Sequence, residues 1–203
     1  MKRTNIKRET DLQMLSDWIA PGSRVLDLGC GRGILLEHLW QTKEVRGLGI
    51  DVDFTKVKAC VKRGVSVYHG DAERLLAEFP DRFFDWVICS RTLQELARPA
   101  HVIEESLRVA SNLAVGFVNH GFWLNRLSVL LTGARVRNEV FPLDWSEGHP
   151  MNSISIRAFE EFCTRQDYQC FRSIYLSGDW RSPLRILPNL RAGYVLYHLT
   201  ANE

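Results

Sequence analysis

At 203 residues, 45% of them apolar, the chain holds enough core-forming material for one compact domain and too little for a second. Its 26 basic residues face 24 acidic ones, so it lacks the charge footprint of an obligate nucleic-acid binder. No apolar run reaches membrane-spanning length, and none follows the charged start as a signal peptide requires. The expectation is one cytoplasmic domain over residues 1–203.

The start of the chain, with Lys2, Arg3, Lys7 and Arg8, reads as a solvated basic tail. A first helix over Thr10–Trp18 precedes Pro21-Gly22, a turn into the first strand. Short, mostly apolar runs then predict strands at Arg24–Leu28, Val45–Asp51, Val65–His69, Phe84–Ser90 and Leu113–Val118. Helical periodicity fills the gaps at Gly33–Trp40, Phe54–Arg63, Ala72–Phe79 and Pro99–Val109, and this alternation is the pattern of a parallel sheet with crossover helices. Beyond it the pattern changes: a helix over Phe122–Leu131, a long irregular segment over Thr132–Ser153, a helix over Ser155–Arg165 capped by Ser155, and strands at Tyr168–Leu176 and Gly193–Leu199 that add an antiparallel edge. Five cysteines, Cys30, Cys60, Cys89, Cys163 and Cys170, are scattered without a C-x-x-C pair, so each reads as a small buried hydrophobe, with neither a disulfide framework nor a zinc site.

The segment Val25-Leu26-Asp27-Leu28-Gly29-Cys30-Gly31-Arg32-Gly33 carries the strongest chemical signal. A strand ends in a carboxylate and runs through alternating glycines into a helix, a geometry that brings backbone close to a ligand and aims helix amides at it. Asp51 closes the second strand, where a carboxylate accepts both hydroxyls of a ribose. Asp53 is its neighbour and also suits the cap of the following helix. Asp71 follows the third strand, placed either to receive the amino group of an adenine or to cap the helix beginning at Ala72. A dinucleotide cofactor is the rival. Its fingerprint has a third glycine three positions after the second, where this chain has Ile34, and Asp27 would repel a pyrophosphate while attracting a sulfonium or an ammonium.

Together with Gly49-Ile50-Asp51, Gly70-Asp71 and Phe84-Asp85-Trp86-Val87-Ile88, this segment resembles the successive motifs of class I S-adenosylmethionine-dependent methyltransferases. The resemblance implies a Rossmann-like fold, a mostly parallel seven-stranded sheet with helices on both faces and an antiparallel C-terminal edge. It implies S-adenosylmethionine or S-adenosylhomocysteine as the cofactor. By the same resemblance the glycine loop wraps the methionine and ribose part, Asp51 holds the ribose and Asp71 meets adenine. The expected cofactor set is then Asp27, Gly29, Cys30, Gly31, Gly33, Asp51, Val52, Asp71, Ala72 and Ser90. A narrower resemblance, to the methionine biosynthesis protein MetW family, runs through Pro21 to Asp27, Val45 to Ile50, Ala59 to Val65, Thr92-Leu93-Gln94 and Leu187-Pro188-Asn189-Leu190-Arg191. It implies association with homoserine O-acyltransferase. The segments Gly116–Trp123 and Trp145–Asn152 depart from that family's pattern, so the loops over the sheet carry less of the resemblance than the cofactor half.

Methyl transfer from a sulfonium is a displacement that positioning and desolvation accelerate without a signature triad. Where a base is required, His120 and His149 are the candidates, and each also reads as a hydrogen-bonded loop histidine. Arg91, after the fourth strand, suits bidentate binding of a carboxylate acceptor or a solvated surface. His38, His69, His101 and His198 are too scattered for a metal site, and no motif names the methyl acceptor.

Overall fold

A computed structural model describes residues 9–138, 140–142 and 151–201. Helix α1 (Thr10–Trp18) leads into a regular alternation of strands and helices: β1 (Arg24–Leu28), α2 (Ile34–Lys43), β2 (Arg46–Asp51), α3 (Phe54–Lys62), β3 (Ser66–His69), α4 (Ala72–Leu75), β4 (Phe84–Ser90), α5 (Pro99–Val109) and β5 (Ala110–Val118). The distal part adds α6 (Trp123–Thr132), α7 (Ile156–Arg165), β6 (Gln169–Leu176), β7 (Pro183–Leu184), α8 (Pro188–Arg191) and β8 (Tyr194–Thr200). All eight strands form one sheet in the order β3-β2-β1-β4-β5-β8-β6-β7. Strands β1 to β5 are mutually parallel, whereas β8 runs antiparallel between β5 and β6, and β7 pairs with β6.

The strands alternate between two cores, as a pleat of period two requires. Leu26, Leu28, Val87, Cys89, Leu113, Val115, Phe117, Val195 and Tyr197 face α5 and α7, where Val102, Ile103, Ile156 and Phe159 cover them. Val25, Ile88, Ala114, Val118, Tyr194 and Leu196 point to the other side and meet Leu15 of α1, Leu35, Leu36 and Leu39 of α2, and Cys60 of α3. Burial on both faces explains why the parallel strands read as near-continuous apolar runs. Chain order reverses between β1 and β4, and at that switch point the C-terminal ends of the strands open a crevice.

Beyond one-residue shifts at several element ends and the short α8, the described residues depart from the sequence expectation as follows. The sheet has eight strands, because Pro183–Leu184 forms a two-residue rung on the edge of β6 that is too short to leave a pattern. Strand β5 begins at Ala110, directly at the C-cap of α5, so no loop separates them. The helix expected over Ala72–Phe79 is one α-turn followed by a 3-10 turn at Leu76–Glu78. Gly33 caps α2 with φ +71° rather than belonging to it, and α2 continues to Lys43. Trp145, Glu147 and His149 lie outside the described residues.

Candidate functional site

The glycine segment turns over the end of β2. The N–H groups of Gly29 and Cys30 donate to the Ile50 carbonyl at 2.8 and 3.1 Å, and Gly29, Gly31 and Gly33 all take left-handed φ values of +69°, +59° and +71°. A Cβ on Gly29 would overlap the Thr92 side chain, so the turn packs against the segment after β4 at contact distance.

Asp51 is the organising carboxylate. It is 4% exposed, its Oδ2 accepts the Gly31 N–H and its Oδ1 the Asp53 N–H, each at 2.8 Å. Each oxygen keeps a lone pair for a hydroxyl donor, so the brace on the glycine turn and a grip on a ribose are compatible. Asp53 is the N-cap of α3, accepting from Thr55 N–H at 2.8 Å, and that backbone bond holds its carboxyl below the usual range. Asp71 caps α4 through the Glu73 N–H at 2.9 Å while its side chain stays half exposed, its second oxygen 3.9 Å from the Arg74 Nε.

A cavity of about 630 Å³ opens at the switch point, and Asp27, Gly29, Cys30, Gly31, Asp51, Val52, Asp71, Ala72 and Ser90 all line it. Gly33 does not: its left-handed cap brings the chain against the Cys60 Sγ, where a Cβ would sit 3.0 Å away. Six carboxyl-bearing residues line the cavity (Glu9, Asp27, Asp51, Asp71, Glu73 and Glu95) against three basic ones (Arg32, Lys56 and Arg91). This wall favours a cationic guest over a pyrophosphate. Asp27 is buried at this wall, and its pKa is pushed up to about 8, chiefly by burial, with Cys60 and Asp51 adding to it. A positive group placed against Asp27 would restore its ionised form. Cys30 and Cys60 stand with their sulfurs 3.9 Å apart, and the Cys60 thiol donates to the Gly31 carbonyl at 3.3 Å. Hydrogen bonding to Cys60, with burial, pushes the Cys30 thiol up, and the same bond pulls that of Cys60 down; Cys60 is fully buried and does not line the cavity, so the pair packs the glycine turn.

The three residues named for chemistry fare differently. His120 is not among the cavity-lining residues: its Nδ1 accepts from Gln94 Nε2 at 3.0 Å, while Gln94 Oε1 accepts the Val118 N–H. Burial lowers its pKa, so it is a neutral, hydrogen-bonded histidine behind the site. His149 lies outside the described residues. Arg91 does line the cavity, yet its Nε and one terminal nitrogen donate to the two oxygens of Asp11 at 2.8 Å each, so this chain's own α1 fills the carboxylate-binding fork. Glu9 and Leu12 reach the cavity through the same contact and were missed, because nothing local to α1 announces a partner 80 residues away. Among the described residues no cluster of His, Cys, Asp or Glu is arranged to hold a metal ion, and no helix is long and apolar enough to cross a membrane.

Comparison with known proteins agrees with this geometry. The family described as "Methionine biosynthesis protein MetW" matches residues 9–199. The "Bifunctional methionine biosynthesis protein MetXA/MetW" of Rhodopirellula baltica is 32% identical over 127 residues, 59% of this chain and 20% of that protein. The ubiquinone biosynthesis O-methyltransferase of Hahella chejuensis is 38% identical over 95 residues, 44% of this chain and 40% of that protein. The chain therefore matches well under half the length of these curated relatives. Among solved structures, a SAM-dependent methyltransferase of Thermotoga maritima, described as a possible histamine N-methyltransferase, superposes with a TM-score of 0.69 at 18% identity, over 97% of this chain and 90% of that one. This last likeness shows the fold.

Proposed function

The chain belongs to the MetW family of methionine biosynthesis proteins, and from that premise we propose that it binds S-adenosylmethionine or S-adenosylhomocysteine and acts in methionine biosynthesis with homoserine O-acyltransferase. The observation that carries the cofactor is the acidic cavity under the glycine turn. Asp51 braces the turn and keeps free lone pairs; on this reading they would take a ribose, Asp71 at the cavity wall would meet adenine, and buried Asp27 would face a sulfonium or ammonium. When bound, such a cofactor supplies an electrophilic methyl group or, once demethylated, a signal of methyl-donor status. Support for the partner comes from the Rhodopirellula protein, whose name joins MetXA and MetW in one bifunctional chain, an arrangement that holds the two halves together permanently. A calorimetric titration with S-adenosylhomocysteine, with a nicotinamide dinucleotide as control, tests the first half. Saturable binding of the nucleoside alone is expected, and binding of the dinucleotide instead would refute it. Mixing with homoserine O-acyltransferase tests the second half; neither a complex nor a change in acyltransferase rate would overturn it.

A second reading, methyl transfer to a small-molecule acceptor, is favoured by one observation: the cavity continues past the nucleoside-binding carboxylates to Glu9, Leu12 and Val140. Movement of labelled methyl onto a metabolite extract would support it, and none at saturating cofactor would refute it.

A further inference from the structure

Arg91 follows β4 with φ +65°, a left-handed backbone in which a side chain is strained. Its N–H is held by the Gly116 carbonyl at 2.9 Å, and the turn aims its guanidinium across the cavity wall at the start of α1. There Nε and Nη2 each donate to one oxygen of Asp11 at 2.8 Å, and Nη1 reaches Glu9 at 3.1 Å. Asp11 is 2% exposed, and the Trp180 ring lies 6.0 Å from the guanidinium carbon. Burial opposes the Arg91 charge, but the Asp11 carboxylate outweighs it, so the guanidinium is held firmly protonated. The other end of α1 is tied separately, by the Lys43 ammonium donating to the Ser16 and Ile19 carbonyls. Glu9 and Leu12, on the first turn of α1, line the cavity alongside Arg91.

We propose that Arg91 is a positioning residue that latches the first turn of α1 over the cavity, so that ligand is taken up and released when the Arg91–Asp11 pair opens. The inference rests on the reading of this cavity as a nucleoside cofactor site. The wall segment that must move is held at its outer end by Arg91, through the planar, geometrically demanding bidentate pair with Asp11 and a single contact to Glu9; Leu12 of that turn is only partly buried, and the fully buried apolar anchors Leu15 and Ile19 lie one to two turns further along. Opening the first turn therefore breaks these contacts and loosens Leu12 while Leu15 and Ile19 stay in the core.

The test is stopped-flow binding of S-adenosylhomocysteine to the full chain, with Asp11→Asn and Arg91→Lys, alongside hydrogen exchange of the α1 amides and thermal unfolding. In both variants the association and dissociation rates are expected to rise together, dissociation by tenfold or more, with faster exchange at the start of α1. A merely structural residue would lower the melting temperature and leave association unchanged. Lys43→Met, at the far end of α1, serves as that control, with both rates expected within twofold of wild type. Unchanged rates in folded variants, or a rise in dissociation alone, would overturn the latch. If Arg91→Lys does not fold, Asp11→Asn and Glu9→Gln decide the matter. If the wild type binds no S-adenosylhomocysteine, the cofactor reading fails, and hydrogen exchange judges the latch separately: unaltered α1 protection in Asp11→Asn refutes it.

Discussion

Replacing Asp27 by Asn tests the electrostatics of the site through stability and through binding. Asp27 is 5% exposed, and its carboxyl is pushed up to about 8 from an ordinary value of 3.8. Between those values the folded protein holds a proton that the unfolded chain has released, so this group's contribution is full below about pH 4 and is lost as pH rises through about 8. The slope is about 1.4 kcal/mol per pH unit well below the folded value and half that at it, so between pH 6 and pH 8 the wild type should lose ~2 kcal/mol relative to the Asn variant, which mimics the protonated acid. Urea unfolding of both proteins at the two pH values measures the difference, and other titrating groups cancel. A sulfonium ligand reverses the balance by favouring the carboxylate. Its binding at pH 7 should release about one proton in the wild type and none in Asp27→Asn, and wild-type affinity should climb by up to about tenfold per pH unit until about pH 8. Calorimetry in buffers of different ionisation enthalpy reads the proton count. Parallel pH profiles for the two proteins, or no proton release, would refute the reasoning.

Asp51→Ala removes both the ribose acceptor and the brace on Gly31 and Asp53, so affinity for S-adenosylhomocysteine should fall by at least about tenfold, with Asp51→Asn between it and wild type. Equal affinity of Asp51→Ala and wild type by calorimetry would remove Asp51 from the site. Gly29→Ala should destabilise by about 2 kcal/mol or more, because a left-handed residue gains a Cβ that overlaps Thr92, whereas Gly31→Ala, open around its Cβ, should cost about 1 kcal/mol from backbone strain alone. Denaturant midpoints in the opposite order would contradict the packing. Asn119→Ala should cost about 3 kcal/mol, since this fully buried amide accepts from Gly121 and Ile156 N–H groups and donates to the Asn189 and Ala192 carbonyls. A loss below about 1 kcal/mol by urea unfolding would show that water replaces it.

The parallel half of the fold was legible because its signals are local. Each of β1 to β4 is a short apolar run closed by a turn, and the carboxylates at the ends of β1 and β2 follow from where strands stop. Asp53 as a helix cap was readable for the same reason. What escaped depends on distant partners. The two-residue β7 depends on the edge that β6 offers, and the one-turn α8 is tied in by the Asn119 amide donating to the Asn189 and Ala192 carbonyls. Arg91 shows the limit most clearly. Residue type suggested a carboxylate-bearing acceptor or a solvated surface, whereas the guanidinium pairs with Asp11 of the same chain, found by folding rather than by spacing. Gly33 was placed in the cofactor set by motif, whereas its glycine is required by the approach of Cys60.

The chemistry of the cavity wall also bears on which acceptor this site can serve. Among the described residues no histidine lines the cavity, and His120 is turned toward Gln94 behind it. Beyond the residues expected to hold the cofactor, the lining includes Glu9, Leu12, Arg32, Lys56, Glu95 and Val140, with Arg91 engaged by Asp11. Among the described residues a methyl acceptor that must lose a proton of high pKa meets carboxyl groups rather than a histidine, so a catalytic reading draws there on acceptors already nucleophilic, on a carboxylate acting as base, or on a group brought by a partner. A cofactor-sensing role needs none of these. It needs only that the cavity register the charge of what it holds, and a buried carboxyl whose pKa lies near 8 does so, taking the proton when the cationic ligand leaves and releasing it when that ligand returns.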